Sequence, residues 1–177
     1  MFAPVLPPRR RPGGPYALAL VCLGNICRSP MASVVLAARL DEAGLADRVR
    51  LSSGGTGDWH VGQRMDERAA DVLREAGYDP DAHRARQVQA SWLDDNDLVL
   101  AMDRRNLEDL SALAPTAVAD GRLLMFRAFD PEADTPEQDV PDPWSGALAG
   151  YHDVLAVVAR TAPVLTAALE LELSPPG

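Results

Sequence analysis

Cysteine is scarce in this chain. Cys22 and Cys27 are the only two thiols among its 177 residues, so neither a disulfide framework nor a four-thiolate zinc site can be assembled. The histidines, His60, His83 and His152, share no ligand spacing, and no metal or other cofactor is expected. Positive charge is also short, since 17 basic residues against 26 acidic ones leave a formal net charge of −9. Nucleic acid and anionic membrane surfaces repel such a chain as a whole, and neither is expected as a partner. No apolar run approaches the roughly 20 residues that a transmembrane helix needs. The arginine-rich start lacks the apolar core of a secretory signal, and no internal repeat is evident. A cytoplasmic location is expected, with export by a route that needs no recognisable signal left open.

What is present suits one soluble domain. Hydrophobic residues make up 47% and charged residues 24%, and the length is enough to bury a core without staples. Residues 1–15 carry Arg9, Arg10 and Arg11, several prolines and Gly13-Gly14, and read as a disordered arm. The domain itself is expected over 16–172, with a tail at 173–177. Short apolar runs at 16–21, 49–53, 98–102 and 123–126 read as strands. Helical spacing follows from Ser29-Pro30, with serine at the N-cap and proline at the first helical position. Helices are also expected over 65–76 and 104–113, and from about Gly150 towards Leu171, with a kink at Pro163. A polar, proline-rich stretch fills 131–146. Strands alternating with helices imply a parallel sheet with right-handed crossovers. Such sheets bind ligands beyond the carboxyl ends of their strands.

The loop after the first strand reads Cys22-Leu23-Gly24-Asn25-Ile26-Cys27-Arg28-Ser29. Cysteine and arginine at this spacing form a weak pattern alone and a much stronger one between a strand and a helix start. A tight loop there turns backbone N–H groups inward, making an anion nest backed by the positive end of the helix dipole. Gly24 supplies the positive φ such a curl needs, and Asn25 tolerates it. The same amides would hold Cys22 as a thiolate. Arg28 closes the ring with a planar fork matched to two phosphate oxygens. Ser29 is placed to cap the helix and to donate to the sulfur. Cys27 has two open readings, a small residue filling an apolar niche or a partner that captures oxidised Cys22 as a disulfide.

Val21-Cys22-Leu23-Gly24-Asn25-Ile26-Cys27-Arg28-Ser29-Pro30-Met31-Ala32 closely resembles the signature of the low-molecular-weight protein tyrosine phosphatases, in particular their bacterial, actinobacterial-like members. Further resemblance lies in Ser52-Ser53-Gly54-Gly55-Thr56, Trp59-His60-Val61-Gly62, His83-Arg84-Ala85-Arg86-Gln87-Val88, residues 101–107 and Val140-Pro141-Asp142-Pro143-Trp144. The resemblance covers roughly residues 16–172. It implies a three-layer α/β/α fold with a four-stranded parallel sheet in flavodoxin-like order 2-1-3-4. It also implies a signalling phosphatase whose substrate is a protein carrying phosphotyrosine, and whose active site holds phosphate or another oxyanion. Leu23, Gly24, Asn25, Ile26 and Cys27 would cradle the phosphate, Trp59, His60 and Trp144 would border the ring-binding cleft, and Trp92 belongs to the core. His83 and Ser53 match positions that hold the loop asparagine, and Asp103 is a partner for a loop arginine.

A cysteinyl phosphatase needs an acid, because the leaving tyrosine oxygen has a pKa of about 10. Asp130, Asp139 and Asp142 all lie in the right region. Asp142 alone combines a following proline with an aromatic, and it matches the family's acid, which then serves as base for the hydrolytic water. Asp130 and Asp139 are read as solvated surface groups. The family often carries two tyrosines after Asp-Pro, where this chain has Trp144 and Ser145. Arsenate reduction would need further cysteines downstream. Phosphoarginine phosphatases carry threonine where Ile26 stands. A non-catalytic phosphotyrosine-binding module would be signalled by loss of Cys22 or Asp142, and both are present.

Overall fold

The computed structural model describes residues 4–133 and 138–174. β1 (Tyr16–Cys22) is buried along its whole length. Its side chains divide by the two-residue period of a strand: Tyr16, Leu18, Leu20 and Cys22 join one core cluster, Ala19 and Val21 another. A strand apolar on both faces needs a helix layer on each side. With β2 (Val49–Gly55), β3 (Leu98–Ala101) and β4 (Leu123–Met125) it forms an all-parallel sheet of order β2-β1-β3-β4. The helices are α1 (Arg28–Glu42), α2 (Glu67–Glu75), α3 (Ala90–Asp95), α4 (Arg104–Leu113), α5 (Pro115–Ala119) and α6 (Leu148–Leu173). Buried residues of α1, α2 and α6 fill the larger cluster, while Leu93, Leu110 and Ala117 from α3, α4 and α5 fill the smaller. The expected three-layer architecture and strand order are therefore what the chain adopts. Cys22 sits at the carboxyl end of β1, between β2 and β3, where the connections diverge.

Several expectations need correction. α1 begins at Arg28 with Cys27 at its N-cap, so Ser29 lies inside the first turn and does not cap. α3 and α5 are too short to show a period, and a 3-10 turn, Phe126–Phe129, follows β4. α6 runs unbroken through Pro163 and starts earlier than expected. By length and composition, with a mean hydropathy of 1.7, it is apolar enough to cross a membrane. Here, however, Tyr151, Val154, Val158, Ala162, Leu165 and Leu169 are buried in the main core. Trp92 is half-buried, packed against the smaller cluster.

The arm was expected to be disordered, yet residues 4–15 lie against the domain. Leu6 is only 6% exposed and belongs to the main core. The Tyr16 hydroxyl donates to Pro7 O at 3.0 Å, and Arg10 N–H donates to Asp97 Oδ1 at 2.7 Å. A buried apolar side chain and a carboxylate waiting for N–H donors provide the attachment that composition does not reveal. Residues 1–3 of the arm, 175–177 of the tail and 134–137 of the proline-rich stretch fall outside the described residues.

Asp130 is the other correction, being 1% exposed rather than solvated. Arg160 grips it bidentately at 2.7 and 2.9 Å, Arg127 donates at 2.8 Å and the Glu132 N–H at 2.9 Å. Burial alone would raise this carboxyl, but those bonds outweigh it and hold it below the usual range. The pairing ties the segment after β4 to α6. Asp130→Asn is expected to cost about 3 kcal/mol of unfolding free energy at pH 7, read by urea denaturation. Because the folded-state value is depressed, that advantage is full above the unfolded value of about 3.9 and fades as pH falls below it. Wild type and variant should converge in acid. A gap that stays constant down to pH 2 would remove the carboxylate from the explanation.

Candidate active site

The loop between β1 and α1 is shaped by where its carbonyls go. Cys22 O accepts from Thr56 N–H at 3.0 Å and Leu23 O from Gly57 N–H at 2.9 Å. Asn25 O accepts from His83 Nε2 at 2.8 Å, and Ile26 O from Asp66 N–H at 2.8 Å. In a trans peptide unit the following N–H points away from the carbonyl. Tying four carbonyls outward thus turns the N–H groups of Leu23, Gly24, Ile26 and Cys27 towards the inside of the loop, as an anion nest requires. Gly55 makes the close approach possible, because a Cβ there would lie 2.6 Å from Leu23 O and 3.0 Å from Asn25 N.

The one positive φ in the loop falls on Asn25, at 55°, and not on Gly24 as expected. Asn25 is completely buried, and its side chain is fully used. Nδ2 donates to Ser29 Oγ at 2.9 Å and Ser53 Oγ at 3.1 Å, while Oδ1 accepts from Arg86 N–H at 2.9 Å. Burial pushes the His83 ring towards its neutral form. Since a carbonyl only accepts, the remaining ring proton sits on Nε2 and is donated to Asn25 O. The sequence-level pairing of Asn25 with Ser53 and His83 is what the structure contains.

Cys22 Sγ lies 3.0 Å from Ser29 Oγ and accepts from Asn25 N–H at 3.3 Å. Ser29 Oγ already accepts from Asn25, so its single proton goes either to the sulfur or to Gly54 O, 3.3 Å away. Arg28 is 2% exposed. Its Nη1 donates to Asp103 Oδ2 at 2.5 Å and Val140 O at 3.0 Å, and its Nη2 to Asp142 Oδ2 at 3.0 Å. Burial works against the guanidinium charge, but Cys22, Asp142 and Asp103 outweigh it and raise its pKa above the ordinary value. Asp103 also caps α4, accepting from Asn106 N–H at 2.7 Å. Asp142 Oδ1 accepts from Trp144 N–H at 3.2 Å. Asp139 instead accepts from Arg104 N–H at 2.9 Å on the exposed side of α4.

Cys22, Leu23, Gly24, Ile26, Cys27 and Arg28 line a cleft of about 370 Å³ together with Trp59, His60, Asp142 and Trp144. The two indoles are 66% and 56% exposed, so they form a rim and not a core. Trp59 lies over Gly57, where a Cβ would come within 1.9 Å of its ring. His60 rests against Gly24, and its Nδ1 is 3.0 Å from Gln63 Oε1. Asn25 is the one expected phosphate-loop residue that does not face the cleft, because it works behind it. Both thiols are free. Cys27 belongs to the main core, with Sγ 3.7 Å from Tyr151 Oη, and burial pushes its thiol up to about 12. Sequence reasoning missed Asp66, Arg68 and Tyr151, which touch the loops that form the cleft through Ile26 O, Trp144 O and Cys27 Sγ. The available signal was Asp66 opening a helix two residues before an arginine.

A thiol at a strand end, inward amides and a buried guanidinium define a cysteine-based phosphate-loop protein on a three-layer α/β/α fold. The chain belongs to the family described as low molecular weight phosphotyrosine protein phosphatase, whose profile matches residues 17–174. It is 43% identical over 154 residues to the low molecular weight protein-tyrosine-phosphatase of Streptomyces coelicolor, covering 87% of this chain and 93% of that one. It is 46% identical over 151 residues to low molecular weight protein-tyrosine phosphatase A of Mycobacterium tuberculosis, covering 85% and 90%. The crystal structure of YfkJ from Bacillus subtilis is similar at a TM-score of 0.84 and 30% identity, covering 93% of this chain and 100% of that one. The protein tyrosine phosphatase from Entamoeba histolytica with Hepes in its active site matches at a TM-score of 0.81 and 31% identity, over 88% and 97%.

Asn25→Ala removes the tolerance for left-handed backbone and leaves Ser53 and the Arg86 N–H without their partner. It is expected to lower stability by about 2 kcal/mol and to weaken phosphate binding, read by titration calorimetry, by about tenfold or more. Unchanged phosphate affinity would show that the nest keeps its shape without Asn25.

Proposed function

We propose that this protein hydrolyses phosphotyrosine on protein substrates through a cysteinyl-phosphate intermediate. The observation that carries the reading is that Cys22, the inward amides, Arg28 and Asp142 all border one cleft flanked by two indoles. The dianion enters the nest, where the amides, the α1 dipole and the Arg28 fork meet its oxygens. It competes with Asp142 for Nη2 of Arg28 and so frees that carboxyl to turn to the leaving oxygen. Released from Arg28 and set beside the phosphate dianion, the Asp142 carboxylate takes up a proton from solvent. Cys22 sulfur then attacks phosphorus as the bond from phosphorus to the tyrosine oxygen breaks, and Asp142 gives that proton to the leaving oxygen. Water then attacks the phosphocysteine while Asp142 takes its proton. The sulfur–phosphorus bond breaks, and inorganic phosphate and the thiolate remain. The Ser29 hydroxyl, donating to the sulfur, stabilises the charge that returns there.

Trp59 and Trp144 suit the flat faces of an aryl ring, with His60 at the rim. Replacing the frequent tyrosine pair by Trp144 and Ser145 keeps one aromatic wall and removes the phenols that could themselves be phosphorylated. The substrates fit a cytoplasmic signalling role.

Aryl phosphate hydrolysis should survive chelators, and Cys22→Ser should abolish it. Asp142→Ala should slow it by roughly 10²–10⁴-fold, and less for a substrate whose leaving phenol is already acidic, whereas Asp139→Ala should be nearly silent. Steady-state rates on phenyl and 4-nitrophenyl phosphate provide the measurement. Undiminished turnover by Cys22→Ser ends the cysteinyl-phosphate reading, and a larger loss from Asp139→Ala reassigns the acid.

A further inference from the structure

Asp142 lies on an exposed loop that continues through Gly146 before α6 begins. Pro141 and Pro143 carry no N–H, and Trp144, Ser145 and Gly146 are exposed; the buried Pro143 and the turn bond from Gly146 N–H to Pro143 O at 3.0 Å hold this stretch from within. The main chain of this loop is also gripped from the side. Arg68 Nη2 donates to Trp144 O at 3.1 Å, and Arg68 Nη1 to Gly146 O at 3.3 Å. Those carbonyls lie two and four residues beyond the acid.

Arg68 can do this because its guanidinium is fixed on its other edges. Nε and Nη2 donate to the two oxygens of Asp66 at 3.1 and 2.9 Å. Its central carbon stands 4.8 Å from the centroid of the buried Tyr151 ring, a cation–π contact with the first turns of α6. Asp66 is fixed in turn. It caps α2 by accepting from Arg68 N–H at 2.9 Å, and its own N–H holds Ile26 O of the phosphate loop at 2.8 Å. Burial would raise the Asp66 carboxyl, but bonds from Arg68 and Tyr151 outweigh that and hold it ionised. Two residues at the start of α2 thus touch both halves of the cleft: Asp66 N–H the nucleophile side, Arg68 the acid side.

We propose that the first turn of α2 is a bracket that keeps the nucleophile loop and the acid loop in register, with Arg68 as the positioning residue for Asp142. Arg68 touches no reacting atom. It acts by fixing the main chain that carries the acid, and a planar fork is needed because two carbonyls and a carboxylate are bound at once. This inference rests on the reading of Asp142 as general acid.

The test uses Arg68→Met and Arg68→Lys in the full chain, with and without Asp142→Ala, and reads kcat/KM for phenyl and 4-nitrophenyl phosphate. Displacing an acid costs most where the leaving oxygen most needs a proton. Arg68→Met should therefore lose about tenfold or more on phenyl phosphate and less than about threefold on 4-nitrophenyl phosphate. Arg68→Lys, which keeps the charge without the fork, should recover only part of that loss. In the Asp142→Ala background Arg68→Met should add nothing, since there is no acid left to position. An equal loss on both substrates, full rescue by Arg68→Lys, or losses that multiply in the double variant would each overturn the bracket while leaving Asp142 as acid. If Asp142→Ala alone shows no dependence on the leaving group, the acid assignment falls, and the bracket with it.

Discussion

The chemistry of this protein depends on four main-chain carbonyls pointing away from the place where an anion binds. Cys22, Leu23, Asn25 and Ile26 each direct C=O outward to a donor on a neighbouring segment. The inward N–H groups follow from peptide geometry, with no separate force needed to aim them. The cost is concentrated at Asn25, where a buried residue with a side chain holds a positive φ. Its amide group offsets that strain by joining Ser29, Ser53 and the 86 N–H in one network. Nucleophile, strained hinge and the Ser29 hydroxyl are thereby a single hydrogen-bonded unit.

Electrostatics explain why so many amides are needed. The chain carries a net charge of −9, and Arg28 is already matched by Asp103 and Asp142. A guanidinium between two carboxylates cannot by itself attract a dianion strongly. The nest and the α1 dipole supply fixed positive potential that no carboxylate neutralises, because those partial charges belong to the backbone. Asp103 meanwhile spends one oxygen on Arg28 and the other on the start of α4, so the orientation of the fork is set by the smaller helix layer.

Much of this was legible in the sequence because it is local. Strand, loop and helix from Tyr16 to Glu42 are consecutive, and turn chemistry identifies the nest without tertiary knowledge. The sheet order, Ser53 and His83 as partners of Asn25, and Asp103 as partner of a loop arginine agree with the structure. The Arg86 N–H on Asn25, and Val140 O and Asp142 on Arg28, emerge only from the fold. The larger failures are long-range. Asp130 reads as an ordinary surface acid until Arg160, thirty residues on, is brought beside it. The arm reads as disordered until Leu6 finds the core and Asp97 finds the Arg10 N–H. Arg68 looks like a solvated helix residue, and only the folded chain places Trp144 and Gly146 within its reach. The Ser29 and Gly24 errors are local by contrast: α1 begins two residues before the position that Ser29-Pro30 suggests, and Asn25 takes the positive φ.

The segment from Thr56 to Asp66 performs two tasks with different atoms. Its main-chain N–H groups at 56, 57 and 66 hold the nucleophile loop, while the side chains of Trp59 and His60 border the cleft. Main-chain donors are supplied by nearly any residue, so the cleft wall is free to change its chemistry while the reaction centre keeps its shape. Changes of length have no such freedom, since one added or missing residue would carry a donor away from its carbonyl. Among descendants of such a sequence, selectivity would be expected to drift by substitution in this segment and hardly at all by insertion.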